Sequence, residues 1–206
     1  AGADDFIYLL TADLFASNAI TDTSLAGGAD TDELLIGTTG TAFAIAATDV
    51  WTGITTVETI TAVANTEAVT VDLDSTAATA GITTVDISLT DSTNTGSNVI
   101  DISEFTGTGA TTLTGADGTG SQAITGAGGA DVIDGAAGND IFKYSTTAQL
   151  AASSALVDSL TGGSGTDTID AGAGRDNIDA GAGNDTINIS TDSDFEVSGG
   201  TETIDG

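Results

Sequence analysis

Hydrophobic residues recur along this chain at two spacings. In the C-terminal part, a single isoleucine between polar residues returns every ninth position, as at Ile169, Ile178 and Ile187. In the middle, segments such as VTVDLD (69–74) and TTVDIS (83–88) alternate apolar and polar residues. Alternation with a period of two is typical of strands that bury one face. The pattern therefore predicts an all-β chain built from many short strands.

The nine-residue spacing belongs to a tandem repeat. Residues 162–188 read GGSGTDTID, AGAGRDNID and AGAGNDTIN, with small residues at positions 1 and 2, glycine at 4, aspartate at 6 and isoleucine at 8. The pattern returns at 126–134 and 135–143, and more weakly at 117–125. Both blocks keep one register, because the glycine-free stretch 144–161 between them has the length of two repeats. Counted by nines, position 6 holds Gln122, Asp131, Asp140, Gln149, Asp158, Asp167, Asp176, Asp185 and Asp194.

These nonapeptides resemble the calcium-binding repeats of the RTX (hemolysin-type) family. The resemblance implies a parallel β-roll with two nonapeptides per coil, each made of a six-residue turn and a three-residue strand. The residues agree with this, since the apolar position 8 has polar neighbours and glycine at position 4 permits backbone angles closed to other residues. The predicted fold is a parallel β-solenoid in which RTX β-roll coils join longer, β-helix-like coils.

The aspartates at position 6 are the expected metal ligands. With two nonapeptides per coil, Asp167 stacks over Asp185 and Asp158 over Asp176, roughly 4.8 Å apart, and carboxylates so close repel unless a cation lies between them. Aspartate and main-chain carbonyl oxygens suit Ca²⁺ better than Mg²⁺ or a transition metal. The predicted carboxylate ligands are Asp131, Asp140, Asp158, Asp167, Asp176, Asp185 and Asp194, with Asp5 and Asp32 upstream. The predicted turn ligands are Gly162, Ser164, Gly165, Ala171, Ala173, Gly174, Ala180, Ala182 and Gly183.

The predicted sites differ in the turns that carry them. Asp167 and Asp185 both follow glycine-rich turns, whereas Asp158 and Asp194 follow turns without glycine. Two further aspartates have a glutamine among their neighbours two repeats away, which weakens ligation: Asp131 and Asp140, with Gln149 and Gln122. The alternative for any of these aspartates is that it caps a turn and binds no metal.

The start of the chain repeats part of the C-terminal half. Residues 1–35 match 137–170, and after a one-residue slip Asp32 corresponds to Asp167. A Thr-Ala-x-Leu-x-Ala segment inside each copy is expected to form a short helix or a loop. We therefore divide the chain into a partial β-roll (1–35), a Thr/Ala-rich solenoid (36–116) and a calcium-binding β-roll (117–206).

The middle of the chain has strand-like segments without Gly-Asp turns. Their spacing of about 13 to 15 residues predicts longer coils of the same solenoid. Asp72, Asp86 and Asp101 would form an outward ladder, which either binds further calcium or is a solvated sheet face. Composition and texture together resemble bacterial S-layer proteins of the RTX type.

Charge and composition exclude several classes of function. The 206 residues carry a net charge of −29, with 31 acidic and two basic residues, so neither nucleic acid nor an anionic membrane is an expected partner. No apolar run is long enough to cross a bilayer. Without His or Cys there can be no Ser-His-Asp triad, thiol nucleophile or disulfide. Twenty-five of the acidic residues are Asp and six are Glu, which favours turns and ligands over a general halophilic surface.

We expect a calcium-dependent, self-assembling structural protein at the cell surface or outside the cell, and no enzyme. The chain reads as a processed or excised piece, and Gly206 followed by Ala1 of a second copy would give a passable nonapeptide with Asp5 at position 6. Expected partners are further copies of the chain, with cell-surface polysaccharide as a second candidate. The alternatives are a calcium-folded RTX module of a secreted enzyme or adhesin, and a β-helix enzyme that acts on polysaccharide.

Overall fold

The computed structural model describes the greater part of the chain. It covers residues 2–3, 5–8, 15–16, 19–20, 25–37, 42–46, 48–49, 51, 53–62, 67–88, 96–105, 110–116, 118–143, 158–170, 176–188 and 203–205. Within these residues, two long parallel sheets run side by side, and the chain passes from one to the other as it coils.

The first sheet has nine described strands, all parallel to their neighbours. They are β1 (Asp5–Tyr8), β5 (Glu33–Ile36), β8 (Thr59–Ala62), β10 (Thr84–Asp86), β12 (Thr112–Thr114), β14 (Val132–Asp134), β16 (Ser159–Thr161), β19 (Asn177–Asp179) and β22 (Thr203–Asp205).

The second sheet has seven described strands, again all parallel. They are β6 (Phe43–Ile45), β9 (Val69–Asp72), β11 (Asn98–Asp101), β13 (Gln122–Thr125), β15 (Ile141–Lys143), β18 (Thr168–Asp170) and β21 (Thr186–Asn188). Two parallel pairs join successive turns, β4 (Leu25–Ala26) with β7 (Ile54–Thr55) and β17 (Ser164–Gly165) with β20 (Ala182–Gly183). The predicted parallel β-solenoid is confirmed.

The core is centred on a double row of apolar side chains, one row from each sheet. In the first sheet the inward residues in register are Leu34, Ile60, Val85, Leu113, Ile133, Leu160 and Ile178. In the second sheet they are Ile45, Val71, Ile100, Ile124, Phe142 and Ile169. Every one of these side chains is at most 1% exposed, and they form one cluster. Burial of each stabilises the fold by about 1.5–3 kcal/mol relative to exposure, so the rows hold the coils together.

A coil consists of two nonapeptides only in part of the roll. Leu160 pairs with Ile178 and Ile169 with Ile187, both at the predicted distance of two nonapeptides. Ile133, however, pairs with Leu160, three nonapeptides later. The glycine-free stretch therefore belongs to one long coil and not to two regular repeats, which corrects the prediction.

The excess length of that long coil is one nonapeptide, which explains why the register survives across it. Asp131 has Asp158 as its neighbour on the next coil, and Asp140 has Asp167. The predicted pairing of Asp131 with Gln149 was wrong, and Gln149 itself lies outside the described residues.

The predicted duplication of this architecture is visible in the register. β1 pairs with β5 through Asp5 and Glu33, which are 33 − 5 = 28 residues apart. β15 pairs with β18 through Ile141 and Thr168, which are 168 − 141 = 27 residues apart. The one-residue slip in sequence is therefore one extra residue in the long coil between β1 and β5. Within that coil, Phe15–Ala16 (β2) and Ala19–Ile20 (β3) form an antiparallel ribbon. This differs from the expected helix or loop. The rest of the Thr-Ala-x-Leu-x-Ala segments lies outside the described residues.

The register also corrects the predicted role of Asp5. Asp5 pairs with Glu33, one position beyond Asp32, and Phe6, in register with Leu34, packs against the core. The place before the strand therefore belongs to Asp4, which lies outside the described residues. Asp5 occupies a strand position. The nonapeptide predicted across the junction of Gly206 with Ala1 of a second copy, with Asp5 at position 6, does not agree with this register.

The middle region has the predicted longer coils. Strands β8, β9, β10 and β11 alternate between the two sheets, and Thr59, Thr84 and Thr112 stand in register on successive coils of the first sheet. The predicted three-membered ladder was wrong, because Asp86 lies in the first sheet while Asp72 pairs with Asp101 in the second. Asp86 and Asp101 each accept a hydrogen bond from the N–H two residues on, which is a turn-capping role.

One coil of the middle region contains a short helix, α1 (Ser75–Ala80), that the strand pattern did not predict. Asp74 caps its N-terminus by accepting hydrogen bonds from the N–H groups of Thr76 and Ala77, and Gly81 ends it with φ of 113°. No helix in the described part of the chain is long and apolar enough to cross a membrane. The first sheet continues across residues 35/36, and both sheets continue across 116/117, so the three predicted regions are parts of one solenoid.

Candidate metal centre

Six strands of the roll are each preceded by an aspartate, and these aspartates form two rows. The first row, before strands of the second sheet, consists of Asp140, Asp167 and Asp185. The second row, before strands of the first sheet, consists of Asp131, Asp158 and Asp176. All except Asp185 are at most 2% exposed, which is unusual for carboxylates. The predicted stacking of Asp167 over Asp185 and of Asp158 over Asp176 is confirmed.

Main-chain hydrogen bonds link the members of the first row. The N–H of Asp140 donates to Oδ1 of Asp167 over 2.8 Å, and the N–H of Asp167 donates to Oδ1 of Asp185 over 3.0 Å. One oxygen of each carboxylate is thus directed at the backbone of the adjoining coil. This sets the orientation of the side chain and leaves its second oxygen for another role.

The second row repeats the arrangement. The N–H of Asp158 donates to Oδ1 of Asp176, and that of Asp131 donates to Oδ1 of Asp158. Asp131 ends this row, because its Oδ1 accepts from both the N–H and the hydroxyl of Thr111. Its Oδ2 accepts from the N–H of Ala127, so both carboxylate oxygens of Asp131 have hydrogen-bond donors from the protein and need no metal.

The second carboxylate oxygens of Asp140 and Asp167 point to a metal in the first row. Oδ2 of Asp140 and Oδ2 of Asp167 are buried, and neither has a hydrogen-bond donor within the described residues. A buried, unpartnered carboxylate oxygen is costly, and a cation is the partner that offsets the cost.

Main-chain carbonyls face these two oxygens. A methyl group placed on Gly135 would lie 2.6 Å from Oδ2 of Asp140 and 2.9 Å from the carbonyl oxygen of Gly162. On Gly162 it would lie 2.7 Å from Oδ2 of Asp167 and collide with the carbonyl oxygen of Ala180. Each glycine therefore borders a space where a carboxylate of one turn and a carbonyl of the next converge.

This donor set fits calcium. No three acidic side chains converge anywhere in the described ranges, so carbonyl oxygens must supply most of the ligands. Ca²⁺ takes six to eight oxygen ligands in flexible geometry, carbonyls included, whereas Mg²⁺ demands a near-ideal octahedron. One ion would be held by Asp140 with the carbonyl of Gly162, and another by Asp167 with the carbonyl of Ala180.

Burial raises the pKa of the first-row carboxyls. For Asp140 the pKa rises from 3.8 to about 7, chiefly through burial, with the charges of Asp167 and Asp134 adding to it against the hydrogen bond from Gln122. The pKa of Asp167 is also raised, by burial and by the charge of Asp185, against the hydrogen bond from Asp140. Both shifts disfavour the charged form of the carboxyl, and a cation bound beside it would favour that form.

Stacked turns require glycine at particular places. Gly163 and Gly181 have φ of 99° and 83°, a region that favours glycine, and a side chain on either would collide with the turn before it. The turns are bonded directly, since the N–H of Ala182 donates to the carbonyl of Gly163 over 2.7 Å and that of Gly138 to the carbonyl of Ser164 over 2.9 Å. The Ser164 carbonyl, a predicted ligand, is therefore engaged in pairing turn with turn.

The remaining predicted ligands fall into two groups, those in the stacked turns and those outside the described residues. Ala182, Gly165 and Gly183 lie in the β17–β20 pair that stacks the turns. Four predicted ligands lie outside the described residues: Ala171, Ala173, Gly174 and Asp194.

Asp32, in the upstream copy, has a partner that the sequence did not suggest. Asp32 is 0% exposed, and its N–H donates to Oε2 of Glu58 over 2.9 Å. Glu58 precedes β8 and thus takes the place that an aspartate holds in the roll. A methyl group on Gly27 would collide with Oδ2 of Asp32 and with the carbonyl of Thr56, the same convergence seen at Gly135 and Gly162. Glu58 was missed because it lies in a long coil with no nonapeptide around it.

Comparison with protein-family models identifies the repeat. Residues 105–142 and 154–194 match the RTX calcium-binding nonapeptide repeat, in four copies. These segments are RTX repeats. They contain both aspartate rows, and RTX nonapeptide repeats bind calcium, so calcium is the cofactor of this part of the chain. Asp32 and Glu58 lie outside the matched segments. Comparison with curated proteins and with solved structures gave no match.

Proposed function

We propose that this chain is a structural segment of a secreted surface protein, that calcium drives its folding, and that copies of it assemble into a surface layer or filament. The RTX repeats make it a calcium-binding β-roll, of a kind that is typically found in secreted proteins. The buried Oδ2 atoms of Asp140 and Asp167 carry the proposal, because they tie closure of the coil to arrival of a cation.

Folding coupled to calcium follows from the balance of charges. With a net charge of −29 and rows of buried carboxylates, the calcium-free roll repels itself and must dehydrate anions without compensation. Calcium binds the folded state and not the open chain, so it stabilises folding by mass action. Where free calcium is low, inside a cell, the roll would stay open; outside, where calcium is plentiful, it would close.

Assembly is supported by the edges of the sheets. The described first sheet ends on β1 at one side and β22 at the other, and the second ends on β6 and β21. The outer strand of a sheet offers main-chain groups to a further strand. Another coil could add there, whether from a second copy or from more of the same protein. Cell-surface polysaccharide is a further proposed partner, and nucleic acid is not, given the charge.

We also propose that the chain performs no catalysis of its own. It has no His and no Cys, and Lys143 and Arg175 are its two basic residues. The buried acidic groups of the roll are engaged with the backbone of neighbouring coils, which is a structural use.

The alternative function is that of a calcium-folded module attached to a secreted enzyme or adhesin. It is favoured by the family match, because the match identifies calcium-binding repeats and a fold does not by itself imply an activity. Full-length sequence with a catalytic or sugar-binding domain would support this alternative.

Sedimentation velocity and electron microscopy over a calcium titration test the proposal. We expect a monomer with an expanded roll in chelator, and ordered multimers at millimolar calcium. Asp167→Asn should shift the transition to higher calcium, while Asp30→Asn, the same charge change at an exposed position, should not. A compact monomer at every calcium concentration would contradict assembly, and a β-rich spectrum unchanged by chelator would contradict calcium-driven folding.

A further inference from the structure

The first aspartate row does not stop at Asp140 but continues upstream with neutral side chains. Oδ1 of Asp140 accepts a hydrogen bond from the N–H of Gln122 over 2.8 Å, as Asp167 does from Asp140. Oε1 of Gln122 accepts from Nδ2 of Asn98 over 2.8 Å, and Oδ1 of Asn98 accepts from the N–H of Val69 over 2.9 Å. Two amides therefore stand where the following coils have carboxylates.

The amide nitrogen of Gln122 contacts main-chain carbonyls from two successive turns. Nε2 donates to the carbonyl of Gly120 over 2.6 Å in its own turn and to that of Ala137 over 3.3 Å in the next. A third carbonyl, of Ala116, lies 3.5 Å away. Gln122 is 2% exposed, so this group is sealed between the turns. These carbonyl oxygens converge in a way that would suit a cation, but their partner here is the nitrogen donor of Gln122.

The position of this nitrogen is comparable to the one proposed for an ion on the next coil. A methyl group on Gly115 would lie 2.7 Å from the carbonyl of Gly135 and 3.0 Å from Cγ of Gln122. On Gly135 it would lie 2.9 Å from the carbonyl of Gly162 and 2.6 Å from Oδ2 of Asp140. Cγ of Gln122 thus stands close to where a carboxylate oxygen stands one coil later. Nε2 is two bonds further on, roughly 2.4 Å by standard bond lengths, which is also the length of a Ca–O bond.

We infer that the Gln122 amide substitutes for a calcium ion between the turns 116–121 and 135–140 and thereby ends the calcium-dependent part of the solenoid. The nitrogen supplies the positive end of a dipole to the carbonyls, and the neutral amide adds no charge that needs a counter-ion. Asn98 continues this metal-independent row into the middle coils. This inference rests on the proposed coupling of folding to calcium, and it adds that the calcium-dependent coils begin after Gln122.

The consequence is a chain with two kinds of coil. The coils upstream of Gln122 would remain folded without calcium and present a ready edge on which the aspartate-bearing coils close when calcium arrives. Trp51, the single tryptophan, is 1% exposed among the upstream coils and reports on them separately from the roll.

Hydrogen exchange of the wild-type chain, with and without calcium, tests the boundary directly. We expect residues 59–102 to keep their protection after calcium is removed with a chelating resin, and residues 158–188 to lose it. The emission maximum of Trp51 should change little over the same step. Loss of protection in both segments at one calcium concentration would overturn the inference while leaving calcium-driven folding intact. No change in either segment would instead contradict calcium-driven folding itself.

The variant Gln122→Glu converts the amide into a carboxylate of the same shape. We expect it to bind one more calcium ion per chain than the wild type by isothermal titration calorimetry, and to make the Trp51 emission respond to chelator. Thr119→Glu is the matched control, with the same charge added at an exposed place in the same turn, and should leave the ion count unchanged. An unchanged ion count in a folded Gln122→Glu chain would overturn the inference. If that variant fails to fold, the exchange experiment on the wild type decides.

Discussion

Replacing Asp140 by asparagine should stabilise the calcium-free chain and weaken the calcium-bound one. Asparagine keeps an oxygen for the N–H of Gln122, which donates to Oδ1 over 2.8 Å, and turns an NH₂ group toward the space where the Gly162 carbonyl lies. It also removes the charge that burial opposes. The same substitution removes a carboxylate oxygen from the proposed ion.

The size of the calcium-free effect follows from the raised pKa. Because the pKa of Asp140 is 3.8 when exposed and about 7 in the fold, ionisation favours the unfolded chain as the pH rises between these values. At roughly 1.4 kcal/mol per pH unit, the fold loses about 4 kcal/mol by pH 7.5. Stability from the protonated group is fully present below pH 3.8 and gone above about 7. Asp140→Asn should therefore be more stable by up to about 4 kcal/mol at pH 7.5, and by almost nothing near pH 3.5.

Circular dichroism of protein freed of calcium with a chelating resin, followed as the pH is raised from 3.5, measures this difference as the pH at which the roll opens, and Asp140→Asn should keep the roll closed to a higher pH than the wild type. Saturating calcium should reverse its sign, with at least a tenfold higher calcium concentration needed for half-maximal folding of Asp140→Asn. Asp30→Asn is the control for general relief of charge, since Asp30 is exposed. Equal stabilisation by both variants, or a gain from Asp140→Asn that does not vary with pH, would refute the reasoning.

Two further substitutions test the turns and the core. Gly162→Ala should lower stability in calcium by about 1–3 kcal/mol and raise the calcium requirement, because the added methyl would lie 2.7 Å from Oδ2 of Asp167. Ser164→Ala, at an exposed position of the same turn, is the control and should change stability by less than about 0.5 kcal/mol. Equal effects of the two substitutions would contradict the close approach of the Gly162 backbone to Asp167. Phe142→Ala should cost about 3–5 kcal/mol in urea unfolding, because the ring is 0% exposed between Ile124 and Ile169. Val132→Ala, at a residue 48% exposed, is its control, and a similar loss there would argue against the predicted core.

The strand positions and the core could be predicted from the sequence because each nonapeptide specifies its own turn and its own inward residue. The pairing of Leu160 with Ile178 and of Ile169 with Ile187 follows from the apolar position 8 and a coil of two nonapeptides. The stacking of Asp167 over Asp185 follows from the two glycine-rich turns that precede them. These are local properties, repeated at a fixed period.

What could not be predicted is which coils lie next to each other where the period changes. An excess of one nonapeptide in the long coil leaves the repeat register intact, so the neighbour of Asp131 is Asp158 and not Gln149. Glu58 accepts from the N–H of Asp32 across a whole long coil, and no local motif announces such a contact. Gln122 was read as a weakened ligand, because a sequence pattern does not show that an amide nitrogen reaches the carbonyls of two turns.

Anomalous X-ray diffraction from calcium-grown crystals tests the central claim most directly. We predict anomalous peaks beside Oδ2 of Asp140 with the Gly162 carbonyl, and beside Oδ2 of Asp167 with the Ala180 carbonyl, within about 2.3–2.6 Å of each oxygen. Folded protein at millimolar calcium with no peak at either place would contradict the account, because the buried carboxylates would then be held without the ion.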